Sequence, residues 1–432
     1  MQKTLIASAM SLTLMTGQAL ATPIPGGDAR TFAMGGTGTA SAHPMAATMM
    51  NPALMALPQP ESRDKFGLAL HFQANVAYDD DLIDDIDTFQ NSQVWNDLDQ
   101  AISSFNSLNN GSPTPAQITN ALDQVIAAGN EADRLLTQID REALRANLNG
   151  AFALAIPRQG LSFGFFADTG IEVSGIARYE DSALISGILN TATQIRNGSL
   201  PNSTDLSTLN TTPQSNGEAL ALAVTEVGVA LAMPVQIAGQ PVYVGVSPKV
   251  LSIRTFDYKA DVNSFDDADF DAGTYEKNTS TFNLDAGVAH QYGENKDLTV
   301  GFTVKNLIPK DVETIGGKKV SIDPIARLGV ALNRATYTLT GDLELTKTKR
   351  AGFEGDKQYL RLGAEWAPLS WFALRGGMAH NLASDNAEST VIASNTLYTA
   401  GIGLSAAGIG LDLTGAVSDN DVGGSLQLSA VY

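Results

Sequence analysis

From Phe66 to its last residue the chain alternates between apolar and polar residues in segments of strand length. In "YTLTGDLELT", Tyr337, Leu339, Gly341, Leu343 and Leu345 share one face, and Thr338, Thr340, Asp342, Glu344 and Thr346 share the other, because successive strand side chains point to opposite faces. "YLRLGAEWA" sets Leu360, Leu362, Ala364 and Trp366 against Arg361, Gly363 and Glu365, and "WFALRGGM" sets Phe372, Leu374 and Met378 against Arg375. The pattern predicts strands near 66–78, 149–157, 160–178, 217–235, 239–258, 279–292, 295–308, 320–333, 335–349, 356–368, 370–382, 393–406, 408–418 and 421–432. That is about 14, an even number. The connections alternate in length. Short ones fall near 157–160, 293–296, 333–334, 368–370 and 406–408, and long ones near 79–148, 179–216, 259–278, 309–319 and 383–392. A soluble sandwich has no need of that rhythm. Outer-membrane barrels have it, with tight turns on the periplasmic side and longer loops outside.

Arg327, Asp342, Glu344, Arg361, Glu365 and Arg375 all lie mid-strand, opposite the apolar face. In a sandwich that face would meet solvent; in a barrel it would line a polar lumen. The charges fit both, and strand length, turn rhythm and the chain's end favour the barrel. "GGSLQLSAVY" closes on Tyr432, with Ala430, Leu428, Leu426 and Gly424 alternating behind it, the form of a C-terminal outer-membrane barrel strand. Trp366, Trp371 and Tyr292 sit beside short turns, where an aromatic girdle belongs. The fold expected is an all-β transmembrane antiparallel barrel of about 14 strands.

The first residues agree. Met1-Gln2-Lys3, the apolar "TLIASAMSLTLMTG" and Ala19-Leu20-Ala21 read as a secretory signal peptide, 1–21, cleaved after Ala21. The chain has no cysteine, which excludes thiol redox chemistry and a disulfide scaffold. Its net charge of -19 repels nucleic acid, so no nucleic-acid partner is expected. After the signal no run of about 18 apolar residues remains for a spanning helix, which leaves strands to do the crossing.

No catalytic motif and no cofactor site emerge. The run Met34 to Ala56, "MGGTGTASAHPMAATMMNPALMA", is glycine-rich but has no Lys after its glycines and no third glycine in dinucleotide spacing, so it cradles no phosphate. His43, His71, His290 and His380 are scattered, without metal-ligand spacing. Acidic loops occur at 79–87 and at Asp266, Asp267, Asp269 and Asp271. Oxygen-rich loops suit hard cations, and Asp267, Asp269 and Asp271 are weak candidate ligands, without an EF-hand pattern. Asp84, Asp85 and Asp87 also suit a helix N-terminus.

Two inserts break the strand pattern. In "QITNALDQVIAAGNEADRLLTQIDREALRANL", Ile118, Leu122, Ile126, Leu135, Leu136 and Ile139 recur at helical spacing, giving a helical insertion over 80–148. A second insertion, 179–216, carries a shorter helix near 183–195 and a polar run. Turn rhythm puts both on the outer side, and the first is large enough for a functional cap.

The segment "ARTFAMGGTGTASAHPMAATMMNPALMA" resembles the N-terminal segment of FadL-like outer-membrane barrels. It shares their small-residue glycine run and Asn-Pro-Ala motif through Gly35, Gly36, Gly38, Asn51, Pro52 and Ala53. Within that group, "DDDLIDDIDTFQ", the helical insert, "VKNLIPKDVE" and "RLGAEWAPLSWFALRGGM" resemble the barrel-type TraF family of plasmid transfer. The thioredoxin-like protein of the same name is different, since this chain lacks cysteine. The resemblance implies a plug over 22–64 inside a barrel over 65–432, with outer-membrane lipid as its surroundings. It implies two functions to distinguish. One is passage of a hydrophobic small molecule. The other is a non-transporting envelope scaffold that engages conjugation proteins through 80–148.

Overall fold

The computed structural model describes residues 27–58, 65–78, 81–108, 111–206, 213–261, 272–349, 353, 355–383 and 396–432. Sixteen strands follow one another along these residues. They are β1 (Gly67–Tyr78), β2 (Ala143–Ile156), β3 (Ser162–Arg178), β4 (Asn216–Ile237), β5 (Gln240–Asp261), β6 (Glu276–Tyr292), β7 (Leu298–Lys305), β8 (Lys310–Glu313), β9 (Lys319–Ile322), β10 (Ile325–Asn333), β11 (Tyr337–Glu344), β12 (Tyr359–Leu369), β13 (Phe372–Asn381), β14 (Thr396–Ala406), β15 (Ile409–Val417) and β16 (Asp421–Val431). All but β8 and β9 form one closed barrel, in which β7 pairs with β10 and β16 returns to β1. Closure leaves no unpaired strand edge, which a hydrocarbon surround requires. The seam runs in register from Gly67 opposite Val431 to Ala77 opposite Asp421, and Phe66 and Tyr432 pair through their backbones and stack beside it.

Burial is inverted relative to a soluble protein. On β11 and β12 the outward Leu339, Leu362 and Trp366 are about half exposed, at 49%, 46% and 53%, while the inward Asp342 and Arg361 are 1% and 4% exposed. Exposed apolar area costs about 25 cal/mol per Å² in water, so a continuous ring of it belongs in lipid. This is an outer-membrane type of barrel.

The wall is uneven in height. The strands β4 and β5 have 22 residues each, and β10 and β11 have 9 and 8. Twenty-two residues extend about 70 Å, well past a lipid-facing band about 25 Å tall. The exposed apolar residues of β4 are Val227, Val229, Met233 and Ile237, in the half that leads to the short turn at 238–239. The other half therefore projects beyond the lipid on the loop side.

Three expectations need correction. The strand β2 begins at Ala143, not near 149, so the helical insertion ends earlier than 148. The stretch 143–148 reads as the end of a helix when taken alone, but pairing with β1 and β3 on both sides claims it. The connection 309–319 is not a plain loop, because β8 and β9 form a hairpin there and the following barrel strand starts only at Ile325. Last, the connection between β15 and β16 on the loop side is short, so the alternation of lengths stops at the final hairpin.

Short helices α1 (Ala29–Ala33) and α2 (Pro44–Ala47) and a 3-10 helix, Pro52–Ala56, precede β1. Between β1 and β2 stand α3 (Leu82–Ser92), α4 (Val94–Leu108) and α5 (Pro115–Ile139), joined by α6 (Ser182–Arg196) from the next loop. Pro115 occupies the first turn of α5, and Thr114 and Gln117 close a capping box there. Leu98, Ile102, Phe105, Leu122, Val125, Leu136, Ile185 and Ile188 build a separate apolar core for these helices. None of the helices among the described residues is long and apolar enough to cross a membrane.

Candidate functional site in the barrel lumen

The segment 27–58 lies inside the barrel, and glycines of the wall make room for it. On β5 and β6, Gly245 faces Gly287; on β7 and β10, Gly301 faces Gly329; on β12 and β13, Gly363 faces Gly377. A Cβ on Gly245 would lie 2.5 Å from the Ala53 nitrogen, on Gly287 1.9 Å from Asn51 Oδ1, on Gly301 2.1 Å from the Thr39 oxygen, and on Gly377 2.2 Å from the Gly35 nitrogen. Backbone therefore lies directly on backbone at Gly245, Gly301 and Gly377, and the Asn51 side chain lies on Gly287. Within the segment, Gly35 and Gly36 adopt φ of 72° and 80°, a left-handed geometry that glycine takes without cost.

Wall hydroxyls and amides satisfy the segment's backbone. Thr414 donates to the Ala29 oxygen, Thr399 to Ala33, Thr303 to Met50 and Ser247 to Thr48, while the Ala29 N–H donates to Gln427. Asn51 donates to the Thr39 oxygen at 2.7 Å, and its Oδ1 accepts from the Ala53 N–H at the start of the 3-10 helix. Its φ and ψ of -140° and 98° are extended, as Pro52 demands of the residue before it. Pro52 is buried, and Ala53 packs in an apolar seam with Met50, Leu54 and Met55 against wall residues Ala155, Ala230, Ala232 and Tyr243.

Charge fastens the segment at two further points. Arg30 donates to both oxygens of Glu365 at 2.8 Å and to the Ser41 oxygen, and Arg375 donates to the same carboxylate at 2.7 Å. The N–H groups of Gly38 and Thr39 both donate to Asp342 Oδ2 at 2.9 Å. The remaining three charges join wall to wall: Arg327 and Arg361 lie 3.0 and 2.7 Å from Glu344. Thus the structure sets five of the six inward charges in two networks and leaves Asp342 to the backbone of the segment, which Glu365 also touches.

Burial pushes the Asp28 carboxyl up, but the Thr31 N–H and then Arg30 outweigh it and leave it below its usual range. Arg30 first, and burial second, drive His43 down to about 4. The His43 ring is nonetheless reached by solvent within the barrel.

The sequence reading missed Arg30, Asp412 and a third network, in which Lys249 lies 2.9 Å from both Glu226 and Asp285. Inward periodicity on β4, β5 and β6 was the available signal for the last three. The glycine belt carried no signal beyond glycine itself. Asp267, Asp269 and Asp271 lie outside the described residues, and among the described residues no cluster of His, Asp or Glu is arranged to hold a metal ion.

The loop-side half of the lumen is lined differently. Leu220, Leu222 and Val224 of β4, Leu251 and Ile253 of β5 and Ile176 of β3 turn inward and form one apolar patch with Val312, Val320 and Ile322 of the β8–β9 hairpin and with Phe353. The hairpin turn is tied to β5, since Thr314 and Lys318 donate to Asp257.

Among solved structures the chain is similar to a Pseudomonas aeruginosa FadL homologue, at 11% identity over 96% of this chain and 99% of that one, with a TM-score of 0.49. It is similar also to the Pseudomonas putida toluene transporter TodX, at 11% identity over 96% and 98%, with a TM-score of 0.45, and to the Ralstonia pickettii toluene transporter TbuX, at 13% over 95% and 98%, with a TM-score of 0.34. No curated protein matches the sequence. A family described as "F plasmid transfer operon, TraF, protein" matches residues 48–344, well over half of the chain, from the Asn51-Pro52-Ala53 turn through β11. The chain belongs to that family.

Proposed function

We propose that this protein passes hydrophobic small molecules across the outer membrane, with the β8–β9 hairpin and the 27–58 plug as two closures in series. The observation that carries this is the inward apolar patch on β3, β4 and β5, roofed by Val312, Val320 and Ile322. A lumen that served only as a polar filler would place polar residues there, as it does at Asp168, Glu226 and Lys249 lower on the same wall. The plug seam, with Met45, Met50 and Met55 against wall alanines, offers flexible side chains of the kind that repack around apolar ligands. Export depends on a signal peptide cleaved after Ala21, and the chemistry needs no catalytic residue or cofactor. The test is transfer of a fluorescent fatty acid into liposomes. Deleting 309–323 speeds transfer relative to the intact protein on this reading; vesicles with either protein performing like protein-free vesicles would sink it.

A second reading is favoured by the helical module, whose core is separate from the barrel's, and by membership in a plasmid-transfer family. On that reading the barrel anchors α3–α6 as a docking platform for conjugation proteins. Removing 82–139 then lowers transfer frequency while the barrel still assembles. Unchanged frequency with unchanged partners counts against it.

A further inference from the structure

Between the plug and the seam of β1, β2 and β16 lies a cavity with about 740 Å³ of empty space, part of it open to solvent. Its seam side is lined by neutral amides: Gln73 and Asn75 on β1, and Asn147 on β2 directly opposite Asn75. These residues are 8%, 5% and 5% exposed. Asn75 Oδ1, Asn147 Oδ1 and Gln73 Nε2 have no hydrogen-bond partner in the protein, a costly state for buried polar atoms. Gly423 of β16 makes room for Asn75, because a Cβ there would lie 2.4 Å from the Asn75 Cγ. The charges lining the cavity are Arg145, Arg361 and Lys357 against Asp28 and Asp421. Arg145 pairs with Asp421, and Arg361 pairs with Glu344, which Arg327 shares. The plug contributes Phe32 and β12 contributes Tyr359.

We infer that this cavity binds a neutral polyhydroxylated solute, a small saccharide or polyol. Hydroxyl groups both donate and accept, so one such ligand satisfies the two free oxygens and the free N–H together, and Phe32 and Tyr359 add apolar surface beside them. A carboxylate only accepts, so it would leave Asn75 Oδ1 and Asn147 Oδ1 unpaired, and a hydrocarbon would leave all three amide atoms unpaired. The cavity shares no lining residue with the apolar patch on β3–β5, so the inference does not depend on passage of hydrophobic solutes.

Calorimetric titration tests it, using the full-length protein in a detergent without sugar headgroups. Glucose, maltose and glycerol are the probes, with citrate and laurate in parallel. Saturable binding of at least one polyol is expected, weakened about tenfold or more in Asn75→Leu and in Asn147→Leu, each checked for heat-modifiable mobility as a sign of an assembled barrel. Gly423→Ala, which touches no ligand, weakens binding in the same direction by displacing Asn75. The inference is overturned if no polyol binds, which would make the cavity a water site, if only citrate or laurate binds, or if assembled Asn75→Leu and Asn147→Leu proteins bind the polyol as the parent does.

Discussion

At the scale of single residues, the plug is held by what the wall lacks as much as by what it carries. A methyl group at Gly287 would meet Asn51, and one at Gly377 would meet the backbone of Met34 and Gly35. Neither neighbour is the loose end of a flexible side chain, so the plug itself must move. Gly287→Ala and Gly377→Ala are expected to leave an assembled barrel with a loosened plug, read as faster proteolysis of 27–58 and raised conductance in planar bilayers. Gly415→Ala, with nothing within 4 Å of its Cβ, is the control and stays silent. Equal conductance and proteolysis in all three would refute the belt. His43 gives the plug a pH dependence. Its pKa is about 4 in place and about 6.5 when free. Protons are therefore taken up on release as pH falls from about 6.5 towards 4, and acid loosens the plug over that window. Above it the residue contributes nothing. The effect is modest, since solvent reaches the ring. His43→Gln should flatten the dependence of plug proteolysis on pH, and an unchanged slope would assign it to other groups.

At the scale of elements, wall height and loop folding go together. The strands β4 and β5 rise beyond the lipid, and their inward apolar residues there would face water without the β8–β9 hairpin across them. The helices above are a different kind of unit, with a core of their own. Leu136 on α5 is fully buried within it, so Leu136→Ala is expected to cost the module about 2–5 kcal/mol. Hydrogen exchange should show that loss in α3–α6 while barrel amides keep their protection. Matching losses in the strands would mean that module and barrel unfold as one.

At the scale of the whole molecule, the exposed apolar ring and the buried charges make sense only in a membrane. The intact protein is expected in the outer-membrane fraction, with faster gel mobility unheated than boiled, because a closed barrel stays compact in detergent. Recovery as a soluble periplasmic protein would contradict that. Truncating Tyr432 is expected to impair assembly, since it pairs and stacks with Phe66 at the closing seam.

Much of this was legible along the chain. Strand alternation is local, because side chains on a strand switch faces at every residue. "YTLTGDLELT" and "YLRLGAEWA" thus declared their two faces without help, and tight turns against long loops told how the strands connect. Helical spacing marked α5 for the same reason. What the sequence could not say is which face turns inward against what. The fate of 143–148 depended on strands on both sides, and the inward turn of 310–322 depended on an apolar patch assembled from β3, β4 and β5. Glu365 reads as one inward charge among six until Arg30, 335 residues away along the chain, is brought against it. Gly287 reads as a weak spot in a strand until Asn51 fills its place. Periodicity is a property of neighbours in sequence, whereas ion pairs and close backbone approach join residues hundreds of positions apart. Only the closed barrel supplies those contacts.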